Sequence, residues 1–250
     1  MKIVRFQHGE EIGFGLLKNN EEVQVLSGAP QESFHVEKIL PRREVELLAP
    51  ILPSKIIGIG LNYRHHAEEL HIKVPEEPLI FLKPLSALNG PEDPIRLPAM
   101  SQKVEAEPEL AVVIGKRCRH VKETEAAGVI LGYSCFNDVT ARDLQKKDLQ
   151  FTRAKSFDTF ACLGPWIETQ LDPRDLLIES RLNGELRLSA RSSRMIFPVP
   201  KLISFISDIM TLEAGDIIST GTPAGLGPLQ AGDKVAISIE GIGVLSNPVF

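Results

Sequence analysis

Apolar and polar residues alternate along this chain in short runs. Runs of about 4–8 residues with period two mark half-buried strands. Lys2–Phe6, Ile12–Leu17 and Glu22–Leu26 carry the pattern, and a polar stretch follows to Leu40-Pro41. Leu47–Pro53, closed by prolines, reads as a linker. Beyond it, strands are expected over Lys55–Gly60, over a long run Val104–Gly115, over Gly128–Asn137 and over Lys234–Glu240. Arg181-Leu182 and Glu185–Leu188 flank Asn183-Gly184, a pair that suits a type I′ hairpin turn because both central residues need positive φ. Helices are expected at Tyr63–His71, Thr140–Gln150 and Pro200–Met210. Glu213-Ala214-Gly215-Asp216 and Gln230-Ala231-Gly232-Asp233 read as two similar turns before two strands. Strand signals dominate without regular strand–helix alternation, so the fold class is α+β. A small β-rich unit is expected over residues 1–50 and a larger domain over 51–250.

Composition narrows the functional classes. Of 250 residues, 43% are hydrophobic and 24% charged, ordinary values for a globular protein. The net charge of −5 argues against a dedicated nucleic-acid binder, which needs a basic face. No run approaches the ~20 apolar residues of a membrane span, and the first residues lack the apolar stretch of a signal peptide. Cys118, Cys135 and Cys162 are widely spaced with no CxxC pair, which fits free thiols in a reducing compartment, so a cytoplasmic protein is expected.

The candidate chemistry centres on Lys103–Gly115. On a regular strand Glu105, Glu107 and Glu109 share one face. Three like charges in a row repel, and either solvent or a hard cation relieves them. The apolar run Leu110–Ile114 takes the strand into a core, where solvent is scarcer. Pro108 lacks the ladder N–H and marks an edge or a bulge. Asp138 ends another apolar strand and either adds a third carboxylate or caps the helix after it. His66 and Glu69 are three apart, so on a helix the carboxylate could orient the imidazole as a base; an ordinary polar helix surface has the same spacing. The spacing is wrong for zinc. Gly58-x-Gly60 lacks a third glycine, and Thr220–Gly227 could wrap an anion or simply connect strands.

Several motifs occur in order: Gly-Leu-Asn-Tyr-x-x-His (60–66), Phe-Leu-Lys-Pro-x-Ser (81–86), Glu-x-Glu-Leu-Ala-Val-Val-Ile-Gly (107–115), Asn-Asp-Val-Thr-Ala-Arg-Asp (137–143), Ala-Lys-Ser-Phe-Asp-Thr-Phe (154–160), Leu-Asn-Gly-Glu (182–185), Thr-Gly-Thr-Pro-Ala-Gly (220–225) and Glu-Gly-Ile-Gly (240–243). Together they resemble the fumarylacetoacetate hydrolase family over about residues 50–250. The resemblance implies a mixed β-sandwich roll with few helices, usually a homodimer. It implies Glu107, Glu109 and Asp138 as metal ligands for Mg²⁺, with Mn²⁺ or Ca²⁺ also accepted. Glu105 matches no ligand position. His66 and Glu69 fall on a water-activating dyad and Lys155 on the active-site lysine. Arg142 and Gln145 fall on substrate-facing positions, and Thr222 lies in the loop that holds the substrate carboxylate.

The implied substrate is a small 2-oxo acid or dicarboxylate. The implied reaction is hydrolysis of a C–C bond in an acylpyruvate-like 2,4-dioxo acid, with pyruvate leaving as a metal-stabilised enolate. The same scaffold also suits isomerisation of 2-hydroxyhepta-2,4-diene-1,7-dioate in aromatic acid catabolism, or decarboxylation or tautomerisation of oxaloacetate. A catalytically silent ligand-binding homologue is a further class, and the full acidic set with Lys155 argues against it.

Overall fold

The computed structural model describes residues 1–64, 73–223 and 225–250. The first fifty residues form the strands β1 (Lys2–His8), β2 (Glu11–Lys18), β3 (Glu22–Leu26), β4 (Val36–Pro41) and β5 (Glu46–Leu48). Then come β6 (Ile56–Gly60), β7 (Leu79–Lys83), β8 (Leu88–Asn89), β9 (Val104–Glu105), β10 (Pro108–Ile114), β11 (Ile130–Asp138), β12 (Thr140–Ala141) and β13 (Ala161–Glu168). The C-terminal strands are β14 (Leu177–Leu182), β15 (Glu185–Arg191), β16 (Ile217–Ser219), β17 (Lys234–Ile239) and β18 (Gly243–Pro248). The described helices are short: α1 (Arg142–Lys147), α2 (Thr152–Lys155) and α3 (Val199–Ile209), besides 3₁₀ turns.

The large sheet runs β4-β3-β2-β1-β13-β11-β10-β16-β6-β7, with β5 on β1 and β8 on β13. Most pairs are antiparallel, while β16–β6 and β13–β8 are parallel. The N-terminal meander joins this sheet through β1, where Lys2 and Ile3 pair with Glu168 and Ile167 of β13. A second sheet, β15-β14-β17-β18, faces it. This is a mixed β fold with few helices, as the α+β expectation required.

Strand β10 shows why the centre reads as an unbroken apolar run. Leu110, Val112 and Ile114 pack into a core with Ile178, Ile237 and Leu245 of the second sheet and with Leu202 and Ile206 of α3. Ala111 and Val113 point to the other face and pack with Ile56, Phe136 and Ile217. Both faces are therefore dry, which is the condition for a continuous rather than alternating pattern.

Four expectations change. The long strand Val104–Gly115 is interrupted: Ala106 and Glu107 fall between β9 and β10, and Pro108 is the first residue of β10, opposite Asn137. A missing N–H is tolerated at a strand start. The polar stretch before Pro41 contains β4, with Val36–Ile39 exposed, so pairing with β3 holds it rather than a buried face. Leu47–Pro53 begins within β5. The helix expected over Thr140–Gln150 is only α1, because Thr140 and Ala141 pair with β9. The 181–188 hairpin forms as expected, with φ of 52° at Asn183 and 85° at Gly184.

The two similar turns share one construction. Gly215 and Gly232 take φ of 90° and 93°. Asp216 accepts from the Glu213 amide and Asp233 from the Gln230 amide, each at 2.7 Å.

Candidate metal centre

The break before Pro108 builds the site. Glu107 lies in the gap and Glu109 in β10, while Asp138 ends the neighbouring β11. The gap is held by its own bonds. The Asp138 amide donates to the Glu107 carbonyl, and the Glu107 amide donates to Asn137 Oδ1, both at 3.0 Å. Glu107, Glu109 and Asp138 each offer an oxygen within 4.8 Å of the others, and all three are buried. Asp138 is not a helix cap: α1 begins after Ala141 and has no side-chain cap bond.

Buried cations surround these acids. Lys155, at the end of α2, donates to Glu107 Oε2 at 2.6 Å and to Asp138 Oδ2 at 2.5 Å. Lys83, at the end of β7, donates to Asp138 Oδ1. Arg142, at the start of α1, donates through Nη2 to Glu107, through Nε to Glu105 at 2.9 Å and through Nη1 to Gln145 Oε1 at 2.5 Å. Glu105 thus holds the guanidinium and stays outside the three-carboxylate set, with Lys103 at 3.2 Å on its outer side. Glu109 accepts from the Ser219 hydroxyl and, at 2.8 Å, from the Gly221 amide. That amide of the Thr220–Gly227 loop is therefore committed to a carboxylate.

Burial pushes the Glu109 carboxyl well above the usual range, and the charges of Asp138 and Glu107 push it further. Burial pulls Lys155 down, but Asp138, Glu107 and Glu109 outweigh it and hold its pKa above the ordinary value. For Lys83 burial prevails over Asp138 and its pKa is lowered.

The donor set fits a hard divalent cation. It is oxygen-only, buried and mutually repulsive, and carboxylates have lone pairs beyond those the lysines occupy. At this site the buried charges are four acids (Glu105, Glu107, Glu109, Asp138) against three bases (Lys83, Arg142, Lys155). A divalent cation would turn this excess of one negative charge into one positive charge.

The remaining expected site residues divide in two. Thr222 is buried in the loop that follows β16. Asn62 ties this loop to the segment after β6: its amide donates to the carbonyls of Thr220 at 2.7 Å and Phe197 at 3.0 Å. Gly221, at φ 94°, fits against Asn62 because an added Cβ would stand 2.8 Å from the Asn62 Cβ. His66 and Glu69 lie outside the described residues, as do His65 and His71.

Three contributors carried no assigned role in the sequence: Lys83, Ser219 and Phe81. Lys83 closes an otherwise apolar strand inside the Phe-Leu-Lys-Pro-x-Ser motif, which was the available signal. Register across the sheet runs Ala111, Ser219, Gly58, Phe81. Gly58 is therefore a close-approach glycine rather than part of a nucleotide loop: a Cβ there would stand 2.2 Å from the Phe81 ring. That ring in turn lies 5.1 Å from Lys155 Nζ. Cys118, Cys135 and Cys162 are unpaired, and burial pushes the Cys135 and Cys162 thiols up to about 12. Among the described residues no helix is long and apolar enough to cross a membrane.

Three buried carboxylates among buried cations on a mixed β fold define a site whose donors suit an oxygen-ligand cation. The chain belongs to the fumarylacetoacetate hydrolase family, whose model, described as "Fumarylacetoacetate (FAA) hydrolase C-terminal", matches residues 55–250. A second model, "Rv2993c-like, N-terminal", matches residues 1–50. The chain is 45% identical over 224 residues to the oxaloacetate tautomerase FAHD2B, mitochondrial, of Bos taurus, covering 84% of this chain and 71% of that protein. It superposes with a TM-score of 0.94 on the crystal structure of 5-carboxymethyl-2-hydroxymuconate delta-isomerase from Mycobacterium smegmatis, at 43% identity, covering 100% and 99% of the two chains. It also matches a maleylpyruvate hydrolase from Sphingobium sp. SYK-6 in complex with manganese(II) ion and pyruvate, at TM-score 0.82 and 31% identity, covering 100% and 98%. Isomerases, hydrolases and tautomerases thus share this scaffold.

Proposed function

We propose that this chain is a divalent-cation-dependent hydrolase of acylpyruvate-like 2,4-dioxo acids. The buried set Glu107, Glu109 and Asp138, with Lys155 bridging two of its members, carries the reading. Mg²⁺ is the proposed resident ion, with Mn²⁺ or Ca²⁺ as alternatives, because oxygen donors suit hard cations. The manganese and pyruvate in the maleylpyruvate hydrolase support the same assignment. When bound, such an ion supplies Lewis acidity toward the oxygens of a 2-oxo acid.

The chain's own residues do the rest. Lys155 places a fixed positive charge beside the three carboxylates, where negative charge develops on the 2-oxo oxygen. Arg142, Gln145 and Thr222 are the proposed contacts that orient the substrate. Glu69 orients the His66 imidazole, and His66 takes a proton from water. The water adds to the distal carbonyl, the C–C bond toward the pyruvate unit breaks, and the electron pair stays with that unit as its enolate. A proton returned to carbon completes pyruvate. A general base of this kind contributes ~10²–10⁴-fold in rate.

A second reading is keto–enol tautomerisation of a 2-oxo dicarboxylate, favoured by the name of the bovine relative. It uses the same cationic surroundings without adding water. Both are tested by incubating the Mn²⁺-loaded protein with acylpyruvates, oxaloacetate and 2-hydroxyhepta-2,4-diene-1,7-dioate, followed by absorbance and NMR. Pyruvate release from an acylpyruvate supports hydrolysis. Enol–keto exchange without cleavage moves the assignment to the tautomerase or isomerase reading. No turnover of any substrate with the ion bound identifies a binding homologue.

A further inference from the structure

Tyr63 stands in the wall of a cleft of about 760 Å³, together with Pro223. Backbone contacts hold it there. It follows Asn62, whose amide ties down the Thr220 loop, and it pairs with Met195 in an isolated antiparallel bridge. Pro223 belongs to that same loop, two residues after the Gly221 amide that fixes Glu109. The phenol is therefore mounted on the frame that sets one of the three carboxylates.

The ring is unlike a packing tyrosine. It is 2% exposed, yet among the described residues it joins none of the three apolar cores. Its hydroxyl is buried and has no hydrogen-bond partner. Such a hydroxyl costs free energy in the folded state, and a phenylalanine would fill the same space without that cost. Glu109 is close enough for its charge, after burial, to hold the phenol well above its usual range. Glu109 does not take the hydroxyl, because it already accepts from Ser219 and the Gly221 amide. The phenol stays protonated, with a hydrogen to donate.

We propose that Tyr63 is a catalytic residue whose hydroxyl donates a hydrogen bond to the oxygen on the fourth carbon of the bound 2,4-dioxo acid, where negative charge appears when water adds. The inference deepens the hydrolase reading and rests on it. With the 2-oxo head at Glu107, Glu109 and Asp138, the fourth carbon lies two bonds further out, toward the wall that holds Tyr63. Water oxygen bonds to that carbon, and the carbonyl π pair moves onto its oxygen. Tyr63 hydrogen-bonds this oxyanion and keeps its own proton. The pair then re-forms the carbonyl of the released acid as the bond between the third and fourth carbons breaks, and the electrons of that bond leave on the pyruvate enolate. A hydrogen bond to an oxyanion is stronger than one to a neutral carbonyl, so the donor acts mainly in the transition state.

The test is Tyr63→Phe, which removes only the hydroxyl. Turnover of acetylpyruvate by the Mn²⁺-loaded variant should show kcat lower by about 10²-fold, with KM changed by less than about threefold. Tm should be unchanged or raised, because no bond within the protein is lost, and Mn²⁺ affinity by calorimetry should be unchanged. Unaltered kcat overturns the proposal. So does a fall in kcat that comes with a lowered Tm or weakened Mn²⁺ binding, since Tyr63 would then be a structural support. A matched pair of ligands reads the contact without cleavage. 2-Oxosuccinamate carries an amide on the third carbon, so its fourth carbon bears an oxygen but is a poor electrophile. In 4-methyl-2-oxopentanoate two methyl groups replace the amide oxygen and nitrogen. The first should bind the unaltered protein about fivefold more tightly than the second, the worth of one neutral hydrogen bond, and Tyr63→Phe should erase the difference. Equal affinity in the unaltered protein, or an advantage that survives in the variant, overturns the Tyr63 assignment. If the unaltered protein binds both compounds but never cleaves acetylpyruvate, the hydrolase reading falls and the oxyanion role with it. If Tyr63→Phe cleaves acetylpyruvate as fast as the unaltered protein, the Tyr63 assignment alone falls.

Discussion

Lys83→Met is the most informative single change, because it removes a buried charge and keeps the stem. The Lys83 side chain is 0% exposed and its partner Asp138 is 1% exposed. Removing one member of a buried pair costs about 3–5 kcal/mol. The lower end applies here for two reasons. Burial already works against the Lys83 ammonium, and Asp138 keeps Lys155. A loss of about 3 kcal/mol corresponds to roughly 6–12 °C in Tm for a chain of this size. The buried balance also moves from four acids against three bases to four against two, so a divalent cation should bind the variant more tightly. Binding of the native state at a hundredfold excess over Kd contributes about 2.7 kcal/mol, and more where Kd is lower. Thermal unfolding by circular dichroism in EDTA should therefore show the full deficit, and saturating Mn²⁺ should narrow the gap to the unaltered protein. A deficit under about 1 kcal/mol in EDTA, or a gap that widens with Mn²⁺, would refute the charge-balance reasoning.

Other expectations concern the ligands and their supports. Glu109→Ala should abolish Mn²⁺ binding by calorimetry and any cation-dependent turnover; retained binding would remove Glu109 from the ligand set. Because the Glu109 carboxyl is raised in the cation-free protein, cation binding should expel a proton. Affinity should then rise with pH and level off above that raised pKa, which calorimetry in buffers of different ionisation enthalpy reads directly. The same shift gives the folded state more bound protons than the unfolded one between about pH 4.3 and the raised value, so the Glu109 contribution to cation-free stability should fall as pH rises through that window. Gly221→Ala should cost about 1–3 kcal/mol from the positive φ and the contact with Asn62. It should also weaken Mn²⁺ binding by displacing the amide that fixes Glu109; unchanged affinity would show that this amide is dispensable.

The parts legible in the sequence are those whose signal is local. The 181–188 turn follows from Asn183-Gly184, and β3 over Glu22–Leu26 follows from alternation. Edge strand β4 escaped because pairing alone holds it. The interruption at Ala106 and Glu107 escaped because Pro108 signals an irregularity without saying on which side it falls. Glu107 and Glu109 were visible as acids entering a core. Their meeting with Asp138 depends on the pairing of β10 with β11, which spacing along the chain cannot encode. Lys83 is farther still: its ammonium reaches Asp138 across 55 positions, so only the assembled fold shows that one strand supplies the counter-charge for another.

The pairing of β1 with β13 also sets a clock on synthesis. The meander β1–β5 is made of neighbours in sequence, and β5 covers Arg5–Gln7 on the far side of β1, but Lys2 and Ile3 have no partner there until Ala161–Glu168 exists, about 150 residues later. At ~5–20 residues per second a nascent chain carries that open strand edge for roughly 8–30 s. Over that interval Lys2 and Ile3 are exposed to any other β strand nearby, so the start of β1 depends on protection while the chain is still being made.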